Sequence, residues 1–286
     1  MRISSLLLKS NLPHTQELQL LEHITGKSKS YLLAHSEINL LNSQLREFNK
    51  LLSRLKNGEP LPYVIGTKYF YESKFIVNNK NLIPRNETEL LVDLTIQEIK
   101  KIAKDTIKIL EIGTGTGCIA ISIAKFCNEN LKDQKIEINA IDSNTESTNL
   151  ARVNANNILT GKAKKYIKFL TITPLKLSKN TKYDIIVSNP PYIPTKDYLN
   201  LNSSVFNFEP REALDGGEDG LKIYREIFQY IAKQNNPHPI LLLEVYEKKE
   251  FITNLRHTIQ NTFPKSQISI LNDLAGRQRF CKIVYC

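Results

Sequence analysis

Apolar positions recur at helical spacing through the first 57 residues. The segments ELQLLEHIT and INLLNSQLREFNKLLSRL place Leu and Ile three or four positions apart, which predicts amphipathic helices. Gly58 and Pro60 then interrupt the pattern. The next stretch, YVIGTKYFYESKFIVNN, is rich in aromatic and β-branched residues and predicts a short hairpin. Helical spacing returns in NETELLVDLTIQEIKKIA, which begins with acidic residues where the helix dipole favours them.

From about residue 106, short apolar runs alternate with helical patterns. Seven runs predict strands: Ile107–Ile112, Ile136–Ile141, Tyr166–Ile172, Tyr183–Ser188, Ile240–Val245, Gln267–Leu271 and Arg279–Val284. Four patterns predict helices between them: Cys118–Cys127, Thr145–Asn157, Leu221–Lys233 and Lys248–Thr262. This alternation predicts an α/β fold with a doubly wound, mostly parallel seven-stranded Rossmann-like sheet. Ligands of such sheets bind beyond the carboxyl ends of the strands.

A glycine-rich loop follows the first strand. The loop and the acid before it comprise Glu111, Gly113, Thr114, Gly115, Thr116 and Gly117. Glycine lets a ligand approach the backbone closely, and the next helix offers free N–H groups. A dinucleotide fingerprint would place Gly or Ala three positions after Gly115, where this chain has Cys118. The loop and Glu111 suit a ligand with a cationic amine and no pyrophosphate, such as S-adenosylmethionine, although a tight structural turn is the alternative.

Asp142 ends the second strand, beside the glycine loop. A carboxylate at this place can accept hydrogen bonds from both ribose hydroxyls of a nucleoside. Asp is also a good residue for capping the next helix. The position next to the loop favours the ribose role.

The motif Ser188-Asn189-Pro190-Pro191-Tyr192 ends the fourth strand. An amide nitrogen is a poor nucleophile because its lone pair is delocalised into the carbonyl. Two hydrogen-bond acceptors can align such a nitrogen with a methyl group if they lie outside the plane of the –NH2 group. The Asn189 side-chain oxygen and the Pro190 carbonyl could be these acceptors. Tyr192 can pack on a flat amide or base. The sequence therefore predicts methyl transfer to a planar –NH2 group, with a simple turn as the alternative.

Several motifs together resemble the HemK/PrmC family of peptide-chain-release-factor glutamine methyltransferases. They are PLPYVIG (Pro60–Gly66), LIPRNETE (Leu82–Glu89), EIGTGTG (Glu111–Gly117), SNPPYI (Ser188–Ile193), FEPREALDGGEDGL (Phe208–Leu221) and DLAGRQRF (Asp273–Phe280). The resemblance covers nearly the whole chain. Asn-Pro-Pro-Tyr alone also occurs in DNA adenine methyltransferases, whereas the Leu-Ile-Pro-Arg and Phe-Glu-Pro-Arg blocks are much more specific.

The resemblance implies methylation, with S-adenosylmethionine as cofactor and S-adenosylhomocysteine as product, of the glutamine amide in the Gly-Gly-Gln motif of class I release factors. The cofactor-binding residues would be Glu111, Gly113, Thr114, Gly115, Thr116, Gly117, Asp142, Thr173, Pro174 and Asn189. Asn189, Pro190 and Tyr192 would be catalytic. The substrate would contact Asn189, Pro190, Pro191, Tyr192, Phe75 and Arg85, with Pro84 beside them.

The chain departs from the family pattern at two places. Asn86 replaces the second proline of the usual PRPETE motif. The third strand usually ends in an acid followed by a large apolar residue, which flank the adenine, whereas FLTITPLKL aligns Thr173 and Pro174 with those positions. Thr173 can accept a hydrogen bond but carries no charge, so weaker adenine binding is expected.

The same resemblance divides the chain into two domains. Residues 1–80 would form an N-terminal helical domain with a hairpin linker that docks the release factor, and residues 81–286 would form the methyltransferase domain. Residues 1–80 carry 11 basic and 6 acidic side chains. This excess could steer an acidic partner.

Charge, cysteine content and apolar runs indicate which partners, metals and locations are expected. The net charge of +10 favours anionic partners. The cysteines Cys118, Cys127, Cys281 and Cys286 form no CxxC pair and lie at no metal-ligand spacing from a histidine, so no metal is expected. No apolar run is long enough for a signal peptide or membrane span, which predicts a cytoplasmic protein without a membrane partner.

Two alternatives remain. A DNA or RNA adenine-N6 methyltransferase would share the corner chemistry and suit the charge, but it would need a target-recognition domain and base flipping. The first 80 residues lack aromatic–basic interleaving, so no direct nucleic-acid partner is expected. A non-catalytic binding module is supported only by the missing acid at Thr173, and the intact Asn-Pro-Pro-Tyr motif argues against it.

Overall fold

A computed structural model describes residues 2–7, 13–131, 134–234 and 239–285. The chain forms two compact units. The helical unit contains Met1–Thr67 and Asn202–Phe208, and the sheet unit contains Lys68–Leu201 and Glu209–Cys286. The hairpin, β1 (Thr67–Phe70) and β2 (Ser73–Ile76), therefore groups with the sheet unit apart from its first residue.

Five short helices build the N-terminal part of the helical unit: α1 (Ile3–Leu7), α2 (His14–Thr25), α3 (Lys29–Ala34), α4 (Asn42–Lys56) and α5 (Leu61–Ile65). Leu21 of α2 and Phe48 of α4 are buried in its core. Arg54 donates hydrogen bonds to the Glu59 carboxylate and to the Val64 carbonyl oxygen. These bonds fix the turn where Gly58 and Pro60 end the helical pattern.

Seven strands form the main sheet of the sheet unit: β3 (Thr106–Ile112), β4 (Lys135–Asp142), β5 (Ile167–Thr171), β6 (Ile185–Ser188), β7 (Ile240–Glu244), β8 (Gln267–Asn272) and β9 (Gln278–Val284). Their order is β5-β4-β3-β6-β7-β9-β8. β9 pairs antiparallel with both β7 and β8, and the other pairs are parallel. The predicted mostly parallel, doubly wound sheet is confirmed.

Helices cover both faces of this sheet. They are α6 (Glu89–Lys101), α7 (Cys118–Asn130), α8 (Thr145–Ile158), α9 (Thr195–Tyr198), α11 (Lys222–Ala232) and α12 (Lys249–Thr262), while α10 (Ser203–Phe206) belongs to the helical unit. Ile107 and Ile109 of β3 join the core layer under α6 and α7, and Leu110 and Ile112 join the layer under α11 and α12. Because the second half of β3 is buried on both faces, apolar residues there occupy adjacent positions, as at Ile109 and Leu110, rather than alternating with exposed ones.

The carboxyl ends of the parallel strands lie level with one another. Ile112 of β3 pairs with Ile141 on one side and with Ser188 on the other. Ser188 in turn pairs with Leu243. The chain turns to opposite sides of the sheet after β3 and β6, and such a reversal opens a crevice beyond the strand ends. The glycine loop, Asp142, Asn189 and Glu244 therefore meet at one edge.

The described cysteines lie at different places in the sheet unit, and Cys118 is in the wall of the crevice beyond the strand ends. Cys118, Cys127 and Cys281 are free thiols, whereas Cys286 lies outside the described residues. No cluster of three or more His, Cys, Asp or Glu side chains suited to a metal ion occurs in the described part of the chain. Within the same ranges, no helix has the length and apolar character needed to cross a bilayer.

Candidate active site

A cavity of about 370 Å³ opens in the sheet unit at the carboxyl ends of β3, β4 and β6. Its walls include many of the predicted site residues: Pro84, Arg85, Gly113, Thr114, Gly115, Thr116, Asp142, Thr173, Pro174, Asn189, Pro190 and Pro191. These residues come from five separate segments that the strand order brings together. The volume is in the range of small-molecule sites.

The three loop glycines have left-handed backbone conformations but different surroundings. Gly115 has φ +53°, and a Cβ there would meet no atom within 4 Å. Gly117 has φ +82°, and a Cβ there would lie 2.8 Å from Ile121 Cδ1 and 3.0 Å from Ala151 Cβ. Gly115 therefore leaves backbone open to the cavity, whereas Gly117 is required for the close packing of α7 on α8.

Glu111 places a buried carboxyl group beneath the loop. Its Oε2 accepts a hydrogen bond of 2.6 Å from the Thr114 hydroxyl, and its Oε1 has no hydrogen-bond partner among the described residues. Burial raises the pKa of the Glu111 carboxyl to about 8, although the Thr114 hydroxyl and the Ala120 N–H oppose this shift. A buried acid with an unpartnered oxygen suits a cationic ligand group.

Asp142 is held in place by the backbone. Its Oδ2 accepts from the Gly115 N–H at 3.0 Å, and its Oδ1 accepts from the Asn144 N–H at 2.9 Å. Asn144, not Asp142, caps α8 through the Glu146 N–H. Each Asp142 oxygen retains a lone pair for a further donor, and burial raises the pKa of this carboxyl.

Asn189 is anchored through its side-chain nitrogen. Nδ2 donates to Thr88 Oγ1 at 3.1 Å, and the Thr88 hydroxyl donates to Glu244 Oε2 at 2.7 Å. The Ser188 hydroxyl donates to the Ile112 carbonyl oxygen at 2.7 Å and ties the ends of β6 and β3 together. The Asn189 corner is thus fixed to two neighbouring strands and to the segment before α6.

A glycine-rich loop supports the corner from behind. Gly216 N–H donates to the Ile193 carbonyl oxygen at 2.8 Å, and Ile193 N–H donates to the Leu214 carbonyl oxygen at 3.0 Å. A Cβ on Gly216 would lie 2.6 Å from the Pro191 carbonyl oxygen. Gly220 lies equally close to the backbone behind the corner. The DGGEDG segment therefore contains glycine because backbone packs directly on backbone there.

Arg85 joins the cavity wall to another part of the same unit. Its Nη2 lies 2.5 Å from Glu209 Oε1, and the Ile83 N–H donates to Glu209 Oε2 at 3.2 Å. The Glu209 side chain is almost fully buried, whereas Arg85 is about one-third exposed. The guanidinium is therefore held at the cavity while part of it remains open to a ligand.

Two predicted substrate contacts lie elsewhere. Phe75 is fully buried and packs edge to face on Phe70, with ring centroids 6.0 Å apart, because the inner face of the hairpin covers the core. Tyr192 is not among the cavity-lining residues of the described chain. Its ring stacks on Tyr246, and its hydroxyl donates to Glu244 Oε1 at 3.4 Å.

Three site residues escaped the sequence analysis: Thr88, Glu209 and Glu244. Each is polar and almost fully buried, with an exposed fraction of 5% or less. Glu244 could have been identified from the run ILLLE (Ile240–Glu244), in which an acid follows four apolar residues at the end of a predicted strand. Thr88 and Glu209 lie within motif blocks that sequence analysis noted. Sequence alone suggests Thr88 or Asn86 as the cap of α6, whereas the Thr88 side chain makes no cap hydrogen bond and donates to Glu244 instead.

Comparisons with known proteins agree with this architecture. Residues 3–66 match the family model described as the PrmC N-terminal domain, and residues 86–218 match the methyltransferase small domain. The crystal structure of the hMettl16 catalytic domain, in complex with the MAT2A 3′UTR hairpin 1, superimposes with a TM-score of 0.55 at 14% identity. That match covers 93% of this chain and 90% of the other, and it concerns the fold alone.

Three curated relatives extend over most of the chain. The release factor glutamine methyltransferase of Salmonella typhimurium (strain LT2) is 34% identical, covering 79% of this chain and 76% of the relative. The protein of the same name from Bacillus subtilis (strain 168) is 29% identical, with coverages of 93% and 90%. The bifunctional methyltransferase of Rickettsia felis is 33% identical over 91% of this chain, which spans about half, 52%, of that longer protein.

Fold, site and matched domains together define a methyltransferase with a doubly wound α/β sheet. The similarity runs through both units and reaches 34% identity. The chain belongs to the release factor glutamine methyltransferase family.

Proposed function

We propose that this chain transfers a methyl group from S-adenosylmethionine to the side-chain amide nitrogen of the glutamine in the Gly-Gly-Gln motif of peptide chain release factors. The observation that carries the proposal is the anchoring of Asn189 Nδ2 by Thr88 at the cavity that also holds the glycine loop. This places an amide acceptor next to a cradle for a nucleoside. The names of the relatives support the same substrate.

The cavity fits S-adenosylmethionine in three respects. Glu111 lies beneath the loop rather than among the described residues of the cavity wall, and its unpartnered Oε1 could accept from a cationic amine at the loop once the carboxyl is ionised. Asp142, fixed by the Gly115 N–H, can accept from ribose hydroxyls. Gly113 and Gly115 leave backbone accessible between these two acids. When bound, this cofactor supplies a methyl group on a cationic sulfur. Thr173 and Pro174 would flank the adenine, without the charge of the family's usual acid.

Asn189 and Pro190 orient the substrate nitrogen. Two acceptors, the Asn189 side-chain oxygen and the Pro190 carbonyl, would hold the –NH2 hydrogens away from the reacting face and favour a tetrahedral nitrogen. Alignment and exclusion of water supply most of the rate increase in such a site. The nitrogen would bond to the methyl carbon as the bond between that carbon and the cationic sulfur breaks, with S-adenosylhomocysteine as the leaving group, and the nitrogen would lose one proton. An alkylated amide nitrogen releases that proton readily, so no strong general base is needed.

The other site residues have supporting roles in this proposal. Arg85, held by Glu209, retains donors for a carbonyl group of the substrate backbone. Tyr192 acts from behind the corner through its contact with Glu244. The helical unit would dock the release factor, and its basic excess would steer an acidic surface toward it.

The test is methyl transfer from S-adenosylmethionine labelled in its methyl group. The acceptors are a purified release factor, its Gly-Gly-Gln→Gly-Gly-Ala variant, a duplex DNA and an RNA hairpin. We expect label on the intact release factor alone, and loss of at least about a hundredfold in rate for Asn189→Ala. Label on DNA or RNA instead would assign the corner to adenine methylation.

A further inference from the structure

We propose that Thr88 and Glu244 are positioning residues that fix the polarity of the Asn189 side-chain amide, so that Oδ1 and not Nδ2 is presented to the substrate. This inference rests on the proposed function, because an acceptor is what a substrate –NH2 group requires. It assigns a role to a buried carboxylate that lies outside the cavity wall. We call Glu244, Thr88 and Asn189 the amide relay.

Glu244 sets the direction of the relay. Its side chain is buried, with 1% of its surface exposed, and both oxygens are engaged, Oε2 by the Thr88 hydroxyl and Oε1 by the Tyr192 hydroxyl. A carboxylate can only accept hydrogen bonds. The Thr88 hydroxyl hydrogen is therefore committed to Glu244, and Thr88 Oγ1 can act toward Asn189 only as an acceptor.

Because Thr88 Oγ1 can only accept, it determines which end of the Asn189 amide can face it. Its oxygen lies 3.1 Å from Asn189 Nδ2, which is the only end of the amide that can donate. A flipped amide would place Asn189 Oδ1 against an oxygen that has no hydrogen left to give. Thr88 is itself buried, with 2% of its surface exposed, so water cannot relieve that contact. The relay thus selects one of two amide orientations that have nearly the same shape.

The charges around Glu244 make the relay sensitive to protonation. Burial raises the pKa of the Glu244 carboxyl to about 7; the Thr88 bond, Arg279 of β9 and the Tyr192 hydroxyl oppose this shift, and Glu87 adds to it. The negative charge of Glu244 also contributes to the raised pKa of Cys118.

The position of the Glu244 backbone is fixed independently of this charge, because the Tyr224 hydroxyl donates to its carbonyl oxygen at 2.6 Å. A protonated Glu244 could donate to Thr88 and free the Thr88 hydrogen for the flipped amide. Methyl transfer should therefore fall as the pH falls through about 7.

The kinetic test uses matched hydroxyl variants just before α6 and within it. Thr88→Val removes the relay hydroxyl, Thr88→Ser keeps it, and Thr95→Val removes another buried hydroxyl, which donates to the Leu91 carbonyl oxygen within α6. We expect Thr88→Val to slow single-turnover methylation about tenfold or more. Thr88→Ser should restore the rate, and calorimetric cofactor affinity should stay within about threefold of wild type. Equal rates for Thr88→Val and Thr95→Val would overturn the relay.

A second measurement needs no substrate. The side-chain amide signals of Asn189 in a ¹⁵N spectrum, assigned by their loss in Asn189→Ala, should shift in wild type with a midpoint near pH 7. They should not shift in Glu244→Gln, whose methylation rate should also be independent of pH in this range. A flat wild-type signal would refute the relay.

Failure of the relay and failure of the proposed function give different results. If wild type transfers no label to the release factor while the Asn189 signal still titrates, the proposed substrate is wrong and the relay stands. If label is transferred while Thr88→Val matches Thr95→Val, the substrate stands and the relay is wrong.

Discussion

Arg85 Nη2 lies 2.5 Å from Glu209 Oε1, and this ion pair joins two segments that are 124 positions apart in the sequence. The carboxylate is nearly fully buried and also accepts from the Ile83 N–H. One contact thus connects the Leu-Ile-Pro-Arg and Phe-Glu-Pro-Arg blocks, which makes their joint occurrence in the chain physically understandable.

Removing Arg85 should destabilise the sheet unit because it leaves a buried carboxylate without its cation. We expect Arg85→Met to lower the free energy of unfolding by about 3 kcal/mol, measured by urea denaturation. The double variant Arg85→Met/Glu209→Gln should lose less than Arg85→Met alone, since no buried charge remains. A double variant at least as unstable as the sum of both single variants would contradict this account.

Gly220 and Gly276 form a matched pair for testing the support of the corner. Their φ angles are nearly equal, +79° and +80°, so alanine is strained similarly at both. A Cβ at Gly276 meets nothing within 4 Å, whereas one at Gly220 meets the Tyr192 carbonyl oxygen and the Phe251 ring. Gly276→Ala should cost about 1–2 kcal/mol of stability and leave methylation unchanged.

Gly220→Ala should lower the free energy of unfolding by about 1–3 kcal/mol more than Gly276→Ala. It should also slow methylation, because the Asn189 corner must shift to make room for the alanine side chain. Thermal unfolding and single-turnover rates check both parts. Equal behaviour of the two variants would show that backbone packing behind the corner is unimportant.

Glu111 should make stability depend on pH in a distinctive direction. Burial raises its pKa in the folded protein from 4.5 to about 8, so its stabilising contribution is complete below about pH 4.5 and disappears as the pH rises through about 8. Glu111→Gln should therefore reduce the decline in unfolding free energy over this range. The same variant should weaken S-adenosylmethionine binding near pH 8, because it removes the charge that we propose accepts from the cationic amine.

Glu98 provides a control of opposite sign. Burial acts to raise its pKa, but ion pairs with Lys101 and Lys282 outweigh burial and lower it. Glu98→Gln should reduce stability at neutral pH, and this loss should diminish as the pH falls below about 4.5. If Glu111→Gln behaved like Glu98→Gln, the proposed electrostatic role of Glu111 would be wrong.

Thr173 offers a gain-of-affinity test. It lines the cavity directly before the buried Pro174. We expect Thr173→Asp to tighten S-adenosylmethionine binding several-fold by adding a charged acceptor for the adenine amino group. Thr173→Asn, similar in size but neutral, is the matched control. Calorimetry that finds equal or looser binding for Thr173→Asp would rule out this role.

The sequence predicted the sheet well because strand burial leaves an unambiguous apolar pattern. Each of the seven predicted strands overlaps an observed strand, and α7 and α8 begin at the predicted residues Cys118 and Thr145. The glycine loop is recognisable from sequence because its pattern is local: alternating glycines directly follow a strand, and no distant residue is needed to identify it. The hairpin was also predicted, although the burial of Phe75 inside it was not.

The amide relay could not have been predicted in the same way. Thr88 and Glu244 are 156 positions apart, and they meet because α6, which Thr88 directly precedes, packs on β7, which Glu244 ends. Composition and periodicity give the strands but not their order. The position of Tyr192 behind the corner depends on that order, since its partner Glu244 ends β7, the neighbour of β6.

The segment Asn202–Phe208 groups with the helical unit, yet both of its flanking residues belong to the sheet unit. The chain therefore passes between the units three times, and no single cut can separate them. A fragment starting at Lys68 would retain α10 without the helices with which it groups. Because Phe208 is bonded directly to Glu209, the residue that holds Arg85 follows this insertion without any linker.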